Sequence, residues 1–263
     1  MRISNKTKLY LSCSAKPGNF GATLYNRLFD HYDINALYIP RYCIKAKELI
    51  EAVRLLNCDG CSVSMPLKNQ VIPFLDELSN FAKRAQSVNT IVNEDGRLIG
   101  HNTDIFGALK TLEKTKLNNV IIYGAGSVVD SLLIALNELG ITEISIFSRN
   151  PEKAHAKYNR RNINVIKNLD KSKTNYDLLI NATPAPLDGN LTAILDRVAI
   201  VFDLVVSPND TDLITAAKKA KKETITGNVM SKYQFQKQFE CYTSLVPHIE
   251  DISSILNDLY MNA

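Results

Sequence analysis

Short apolar runs alternate with stretches of helical spacing along the first part of the chain. The pattern predicts strands at residues 8–13, 37–39 and 60–65, with Pro40 closing the second strand. Helices are predicted between them, one through Tyr32 and one whose apolar face carries Leu49, Ile50, Val53 and Leu56. This β-α-β-α-β order predicts a mainly parallel sheet with right-handed crossovers.

The pattern changes after residue 70. A helix is predicted around residues 71–78, and residues 87–93 and 97–101 flank a tight Asn-Glu-Asp-Gly turn that predicts a β-hairpin. An amphipathic helix follows, with Leu109 and Leu112 on its apolar face and Asn102 or Thr103 as its cap.

A second unit is predicted from residue 118 onward. Its strands are expected at 120–123, 143–148, 177–181, 199–203 and 224–226, with a helix at 212–222. Two further amphipathic helices end the chain. The fold class is therefore α/β, in two domains, each built on a mainly parallel sheet.

Composition narrows the class of protein. The chain has 263 residues, 45% of them hydrophobic and 22% charged, which is typical of an ordinary soluble globular protein. A net charge of +4 without a basic stripe gives no indication of nucleic-acid binding. The sequence has no run of eighteen apolar residues, so neither a membrane span nor a membrane partner is expected. The sequence is compatible with either a monomer or a homodimer.

Five cysteines are an odd number and do not have paired zinc-ligand spacing, so no metal site is expected. Cys58 and Cys61 have C-x-x-C spacing, but they lie at the entry to a strand and not at a helix N-terminus. Free thiols in a reducing cytoplasm are the simpler interpretation.

Lys68 is the first candidate for chemistry. It follows a buried strand and Pro66, and open α/β sheets bind their ligands at the carboxyl ends of strands. The alternative is that Lys68 merely begins a solvated helix. Asp104 has a similar alternative, because an acid in the first turn of a helix also compensates the helix dipole.

A glycine-rich turn opens the second unit. The strand at 120–123 runs into Gly124, Ala125 and Gly126, and Ser127 and Val128 begin a helix. Glycines in a strand–turn–helix context let backbone amides and the helix N-terminus approach a pyrophosphate, so a dinucleotide site is predicted. Thr183, after the strand at 177–181, lies where a cofactor ring is expected.

The cations after the next strand indicate which dinucleotide. About 20 residues beyond the glycines, an NAD site usually has an acid that binds the ribose 2′-hydroxyl. Here Ser148 is followed by Arg149, and Lys153 comes one helical turn later. Arginine grips a phosphate with two parallel hydrogen bonds, so the pattern favours the 2′-phosphate of NADP.

Several blocks in order resemble the shikimate dehydrogenase family over nearly the whole chain. They are Ser62-Val-Ser-Met-Pro-Leu-Lys68, Ser87-Val-Asn-Thr90, Asn102-Thr-Asp104, Gly124-Ala-Gly126, Ser148-Arg149, Asn181-Ala-Thr183, and Gly227 with Gln234. The resemblance implies a substrate domain at 1–104, completed by 228–263, and a Rossmann NADP-binding domain at 105–227. The final helices are expected to return to the first domain.

The same resemblance implies roles for individual residues. Lys68 and Asp104 match the family's catalytic pair, and Ser64, Asn89 and Gln234 match ligands of the substrate hydroxyls. Leu204 and Gly227 complete the expected cofactor contacts. The implied reaction interconverts 3-dehydroshikimate and shikimate, or a close relative such as quinate, with NADP; the lysine exchanges a proton with the substrate oxygen.

Three departures from the family pattern bear on the substrate and on the cofactor. Asn19 and Gly21 stand where the family has two serines that bind the substrate carboxylate, and Val206 replaces an expected tyrosine. Val129 and Asp130 bring bulk and negative charge to the phosphate loop. The sequence is closer to the shikimate dehydrogenase-like branch. A weakly active NADP-binding paralogue with a regulatory role, and a dehydrogenase of another cyclic hydroxy acid, remain as alternatives.

Overall fold

The computed structural model describes residues 3–158, 163–167, 174–184 and 188–261. The chain divides into two compact units, Met1–Phe106 with Lys232–Ala263, and Gly107–Ser231. No helix in the described ranges is long and apolar enough to cross a lipid bilayer.

The first unit is built on a six-stranded sheet with the order β2-β1-β3-β5-β6-β4. Its strands are β1 (Lys8–Ser14), β2 (Ala36–Tyr42), β3 (Gly60–Val63), β4 (Glu77–Leu78), β5 (Thr90–Glu94) and β6 (Arg97–His101). β1 pairs in parallel with β2 and β3, whereas β5 runs antiparallel to β3 and β6. Its helices are α1 (Phe20–His31), α2 (Ala46–Leu55), α3 (Leu67–Gln70), α4 (Asn80–Ala85) and α5 (Thr103–Leu112), the last of which continues into the second unit.

The second unit has a fully parallel sheet with the order β12-β11-β10-β7-β8-β9. Its strands are β7 (Asn119–Tyr123), β8 (Glu143–Phe147), β9 (Asn164–Ile166), β10 (Tyr176–Asn181), β11 (Val198–Asp203) and β12 (Glu223–Thr226). The helices α6 (Ser127–Glu138), α7 (Pro151–Tyr158), α8 (Gly189–Ile194) and α9 (Asp212–Lys219) connect them. This is the strand order of the Rossmann fold, with its switch point between β7 and β10.

Two helices end the chain, α10 (Gly227–Thr243) and α11 (Ile249–Met261). Phe239 and Ile252 from these helices pack with Tyr10 and Leu28 in one core of the first unit. Leu11, the next residue along β1, belongs to the other core, with Val53 of α2. Because neighbouring strand residues point to opposite faces, the sheet is covered on both sides. The predicted α/β class, the mainly parallel sheets and the return of the final helices are confirmed.

Two local predictions were wrong, and proline explains both. β2 continues through Pro40 to Tyr42, because it is an edge strand whose outer side needs no amide donor. The helix predicted around 71–78 is replaced by a 3₁₀ turn at Ile72–Phe74 and the short strand β4. Pro73 has no amide proton to donate to an α-helix, and the chain turns extended at Leu75, with φ −94° and ψ 150°.

Candidate active site

Lys68 and Asp104 meet in the first unit. β3 ends at Val63, and a turn in which Leu67 donates its amide to the Ser64 carbonyl at 2.8 Å leads into α3, which carries Lys68. Asp104 lies in the first turn of α5. Lys68 Nζ donates to Asp104 Oδ2 at 2.7 Å, and the side chains are 20% and 14% exposed. The ion pair is thus mostly buried, and a small part of each side chain remains accessible to solvent.

The buried Asn89 holds Asp104 in place. Its Nδ2 donates one proton to Asp104 Oδ1 and the other to Thr103 Oγ1, each at 2.9 Å. Its Oδ1 accepts from the Thr103 amide at 3.0 Å and from Thr90 Oγ1 at 2.9 Å. Both protons of the Asn89 side-chain amide are therefore used in hydrogen bonds within the protein. Through one of them, Asn89 fixes the orientation of the Asp104 carboxylate that pairs with Lys68.

A cavity of about 240 Å³ opens over this charge pair. Lys68, Asp104 and four of the five predicted substrate ligands line it, namely Gly21, Ser64, Asn89 and Gln234. Gln234 also donates to Thr103 Oγ1 at 3.1 Å, which ties it to the same network. Asn19 is exposed at the N-terminal end of α1 and is not among the lining residues.

The structure also brings to this cavity residues to which the sequence analysis assigned no role in the site. They are Ser12, Tyr25, Tyr38, Ser62, Val63, Phe235 and Gln238. Ser12 on β1 and Ser62 on β3 are register partners, and Tyr38 lies on β2. Ser12 and Ser62, polar residues in partly buried strands, were the available signal, because such side chains need a polar partner or a ligand.

A second cavity, of about 300 Å³, lies in the second unit at the carboxyl ends of β7, β8 and β10. Six of the predicted cofactor residues line it: Gly124, Ala125, Gly126, Ser148, Arg149 and Thr183. Asn150 also lines it; its Oδ1 accepts the amide of Lys153 at 3.0 Å at the start of α7.

The backbone of this cavity fits a dinucleotide. Gly124 has φ +127°, and a Cβ there would lie 2.9 Å from Thr183 Cγ2 and 3.0 Å from the Ala182 carbonyl oxygen. A Cβ on Gly126, just before α6, would meet no atom within 4 Å, so the surface at this glycine is open. The first glycine thus permits the tight turn, and the second lets a phosphate approach the N-terminus of α6.

Asp130 does not face this loop as an unpaired charge. Its Oδ2 accepts from Lys157 Nζ of α7 at 2.6 Å, and Lys157 also lies 3.5 Å from the Gly126 carbonyl oxygen. Burial of Lys157 lowers its pKa, but the hydrogen bond to Asp130 and the neighbouring charges more than compensate, and the net shift is upward. Lys157 therefore neutralises the charge that the sequence brings to the phosphate loop.

The remaining predicted cofactor residues lie outside the cavity lining. Ser127 and Val128 form the first turn of α6, and Lys153 is exposed on α7. Leu204 and Gly227 face each other: a Cβ on Gly227 would lie 2.4 Å from the Leu204 carbonyl oxygen and 2.6 Å from that of Val205.

Gly227→Ala is therefore expected to destabilise the second unit. The added methyl group meets backbone, which cannot rotate away, and overpacking of this kind costs about 1–3 kcal/mol. The melting temperature measured by calorimetry should fall by several degrees. Gly189→Ala is the matched control, because a Cβ at Gly189 meets no atom within 4 Å. Equal melting temperatures for both variants would contradict this packing argument.

Comparisons with known proteins agree with this geometry. Residues 20–91 match the family model described as the shikimate dehydrogenase substrate binding domain. The shikimate dehydrogenase-like protein of Haemophilus influenzae is 34% identical over 95% of this chain and 96% of its own length. The chain belongs to the shikimate dehydrogenase family. A shikimate dehydrogenase (NADP(+)) of Pelagibacter ubique is likewise 34% identical, over 90% of this chain and 93% of its own.

Solved structures extend the shikimate dehydrogenase likeness to the whole chain. A shikimate 5-dehydrogenase-like protein superposes with a TM-score of 0.90 at 32% identity, covering both chains fully. A shikimate dehydrogenase in complex with NADP+ superposes with a TM-score of 0.84 at 28% identity over 98% of each chain. The predicted family and fold are confirmed.

Proposed function

We propose that this protein is an NADP-dependent oxidoreductase of the shikimate dehydrogenase type, which interconverts 3-dehydroshikimate and shikimate or a close relative such as quinate. The observation that carries the proposal is the Lys68–Asp104 pair, 2.7 Å apart at the edge of a polar cavity. The first unit takes the substrate, and the second unit takes NADP. Membership in a family whose relatives are named shikimate dehydrogenase (NADP(+)) supports both assignments.

The chain's own residues supply the acid–base part of the reaction. In the reductive direction the Lys68 ammonium donates a proton to the substrate oxygen as the carbonyl becomes a hydroxyl, and its charge stabilises the negative charge that develops there. Asp104 orients the ammonium, and Asn89 orients Asp104. Bound NADPH would supply the hydride. Lys68 then recovers a proton from solvent, and the oxidative direction reverses each step.

In the second unit the turn at Gly124 to Gly126 and the N-terminus of α6 would hold the pyrophosphate. Arg149, exposed at the edge of the cavity, would hold the 2′-phosphate. Thr183, whose hydroxyl donates to Asn181 Oδ1 at 2.9 Å, would lie beside the nicotinamide half.

A steady-state assay tests the proposal. The protein, supplied with shikimate and NADP at millimolar concentrations, is expected to form NADPH well above the uncatalysed control, and quinate is tested beside it. A rate equal to the control, with NADP bound, would instead support a regulatory NADP-binding paralogue. Asn19 and Gly21 stand where the family has the two serines that bind the substrate carboxylate, so their replacement would weaken substrate binding and leave the cofactor site unchanged.

Lys157→Met should weaken the binding of NADP and NAD by similar factors, on the order of tenfold, because it removes the ammonium that pairs with the Asp130 carboxylate beside the phosphate loop. Binding is measured from the fluorescence of the reduced nucleotides. The double variant Asp130→Asn with Lys157→Met removes both charges and is expected to restore affinity. If the double variant stays as weak as the single one, charge pairing is not the reason.

A further inference from the structure

A third cavity, of about 320 Å³, lies in the first unit and takes no part in the proposed reaction. α4 lines it with Phe81, α5 with Phe106 and α10 with Lys237 and Cys241, and His101 at the end of β6 also lines it. Cavities that hold small molecules begin at roughly 300 Å³, and their lining is mostly apolar or aromatic with a few polar groups. We call this space the aromatic cavity. Its size and its lining both fit a small-molecule site.

The aromatic cavity is distinct from the cavity of the candidate active site, here called the catalytic cavity. Among the described residues the two have no lining residue in common, although both touch α10. Gln234 and Gln238 lie on one stripe of this helix and line the catalytic cavity. Lys237 and Cys241 lie on the neighbouring stripe and line the aromatic cavity. A ligand in the aromatic cavity would therefore not occupy the place of the substrate.

Two phenylalanine rings form apolar walls of the aromatic cavity. Phe81 and Phe106 are both partly exposed, and a cation lies near each of them. The Lys237 ammonium is 5.5 Å from the centre of the Phe106 ring, and the central carbon of the Arg84 guanidinium is 6.0 Å from the centre of the Phe81 ring. A ligand that covers these rings removes apolar surface from water, and an aromatic ligand also gains from ring–ring contacts. The walls therefore match a planar aromatic ring.

Lys237 gives the aromatic cavity its charge. Among the described lining residues it alone is charged at pH 7, because burial lowers the pKa of His101 and raises the pKa of the Cys241 thiol to about 11. The Lys237 ammonium carries three protons and donates one of them to Glu240 at 2.8 Å, in an ion pair whose side chains are each about a third exposed. Exposed pairs of this kind contribute little to stability, so the ammonium can take a second carboxylate as a partner.

We propose that the aromatic cavity is a binding site for a planar aromatic carboxylate. The ring of the ligand packs against Phe81 and Phe106, and its carboxylate accepts a hydrogen bond from the Lys237 ammonium. Neutral aromatic molecules of the same shape are weaker ligands, because they gain the ring contacts without the charge. The inference goes beyond the proposed function and does not depend on it, since neither the ligand nor the site takes part in hydride transfer.

The test compares two probes that differ in charge but hardly in shape, 2-naphthoate and 2-naphthamide. Calorimetry measures the binding of each to the full-length protein. One molecule of 2-naphthoate is expected to bind per chain, about tenfold more tightly than the amide, as for one hydrogen bond to a charged group. Equal affinities for the two probes, or no binding of 2-naphthoate at millimolar concentrations, would overturn the proposal.

Variants locate the bound probe. Lys237→Met should weaken 2-naphthoate by about tenfold and leave the amide unchanged, whereas Phe106→Leu should weaken both probes by roughly 2- to 12-fold, the range for one aromatic pair. Lys83→Met, which changes an exposed lysine of α4 outside the lining, is the matched control and should change neither affinity. The double variant Lys237→Met with Glu240→Gln should stay weak. Recovery in the double variant would show that Glu240 repels the probe once Lys237 is gone, and it would overturn the assignment of Lys237.

A second titration separates the aromatic cavity from the other two. 2-Naphthoate is added to protein already saturated with shikimate and NADP, and it is expected to bind still, one molecule per chain. Displacement of the probe by shikimate or by NADP would place it in the catalytic or the cofactor cavity and would refute the proposal. A protein that binds 2-naphthoate through Lys237 but does not oxidise shikimate would refute the dehydrogenase activity and keep the aromatic site.

Discussion

Lys68→Ala is expected to lower turnover by roughly 10²–10⁴-fold, the usual contribution of a general acid or base, while NADP binds as before. The variant removes both the proton donor and the positive charge beside the developing oxyanion. Asp104 keeps its hydrogen bond from Asn89, so the carboxylate stays in place without the group it orients. The checks are kcat in the steady-state assay and the Kd of NADPH from fluorescence, measured on the same preparations.

Two controls make the Lys68 result specific. Lys68→Met keeps the length of the side chain without its charge and should be as inactive as the alanine variant. Lys45→Ala changes an exposed lysine of the same unit that pairs with Glu48, and full activity is expected there. If Lys68→Ala retained wild-type turnover, another group would have to exchange the proton, and the proposed mechanism would be wrong.

Arg149→Ala is expected to weaken NADP binding by about 10- to 100-fold while affecting NAD little, because a hydrogen bond to a charged group contributes about 1.5–3 kcal/mol. Arg149 lines the second cavity and follows β8, where its guanidinium can grip a 2′-phosphate with two bonds. NAD lacks this phosphate. The measurement is the ratio of the Kd values for NADPH and NADH in each variant.

The control for Arg149 is Lys114→Ala, an exposed cation of the same unit that does not line the cavity. It should leave both affinities unchanged. An equal loss for NADPH and NADH in Arg149→Ala would assign the arginine to the pyrophosphate or to the fold. The NADP preference would then need another origin.

The pattern of apolar residues predicted most of the long helices and strands. Each of them buries one face, and the spacing of its apolar residues shows which face that is. β1, α1, α2, α5, α6 and every strand of the second unit except β9 follow from it. The failures are short or irregular elements. α4 has only six residues, and its Ser79 cap accepts from Ala82 at 3.4 Å, a local contact that periodicity does not reveal.

The sequence motifs of the candidate site could be predicted, but the contacts between their side chains could not. Lys68 and Asp104 were singled out from separate segments, and their contact depends on where α3 and α5 begin. Ser12 and Ser62 are fifty residues apart and become partners only through the register of β1 with β3. Asp130 looked unfavourable in the phosphate loop because its partner Lys157 comes from the next helix.

The sequence by itself determined the α/β class, the family, the reaction type and the identity of the charged residues. These depend on local periodicity and on residue types at short spacing, which the linear order carries. Only the tertiary structure decided which groups contact one another: Asn89 with Asp104, Asp130 with Lys157, and Ser12 with Ser62. Hydrogen bonds and ion pairs form within a few ångströms, and strand register and helix packing, not separation along the chain, set those distances.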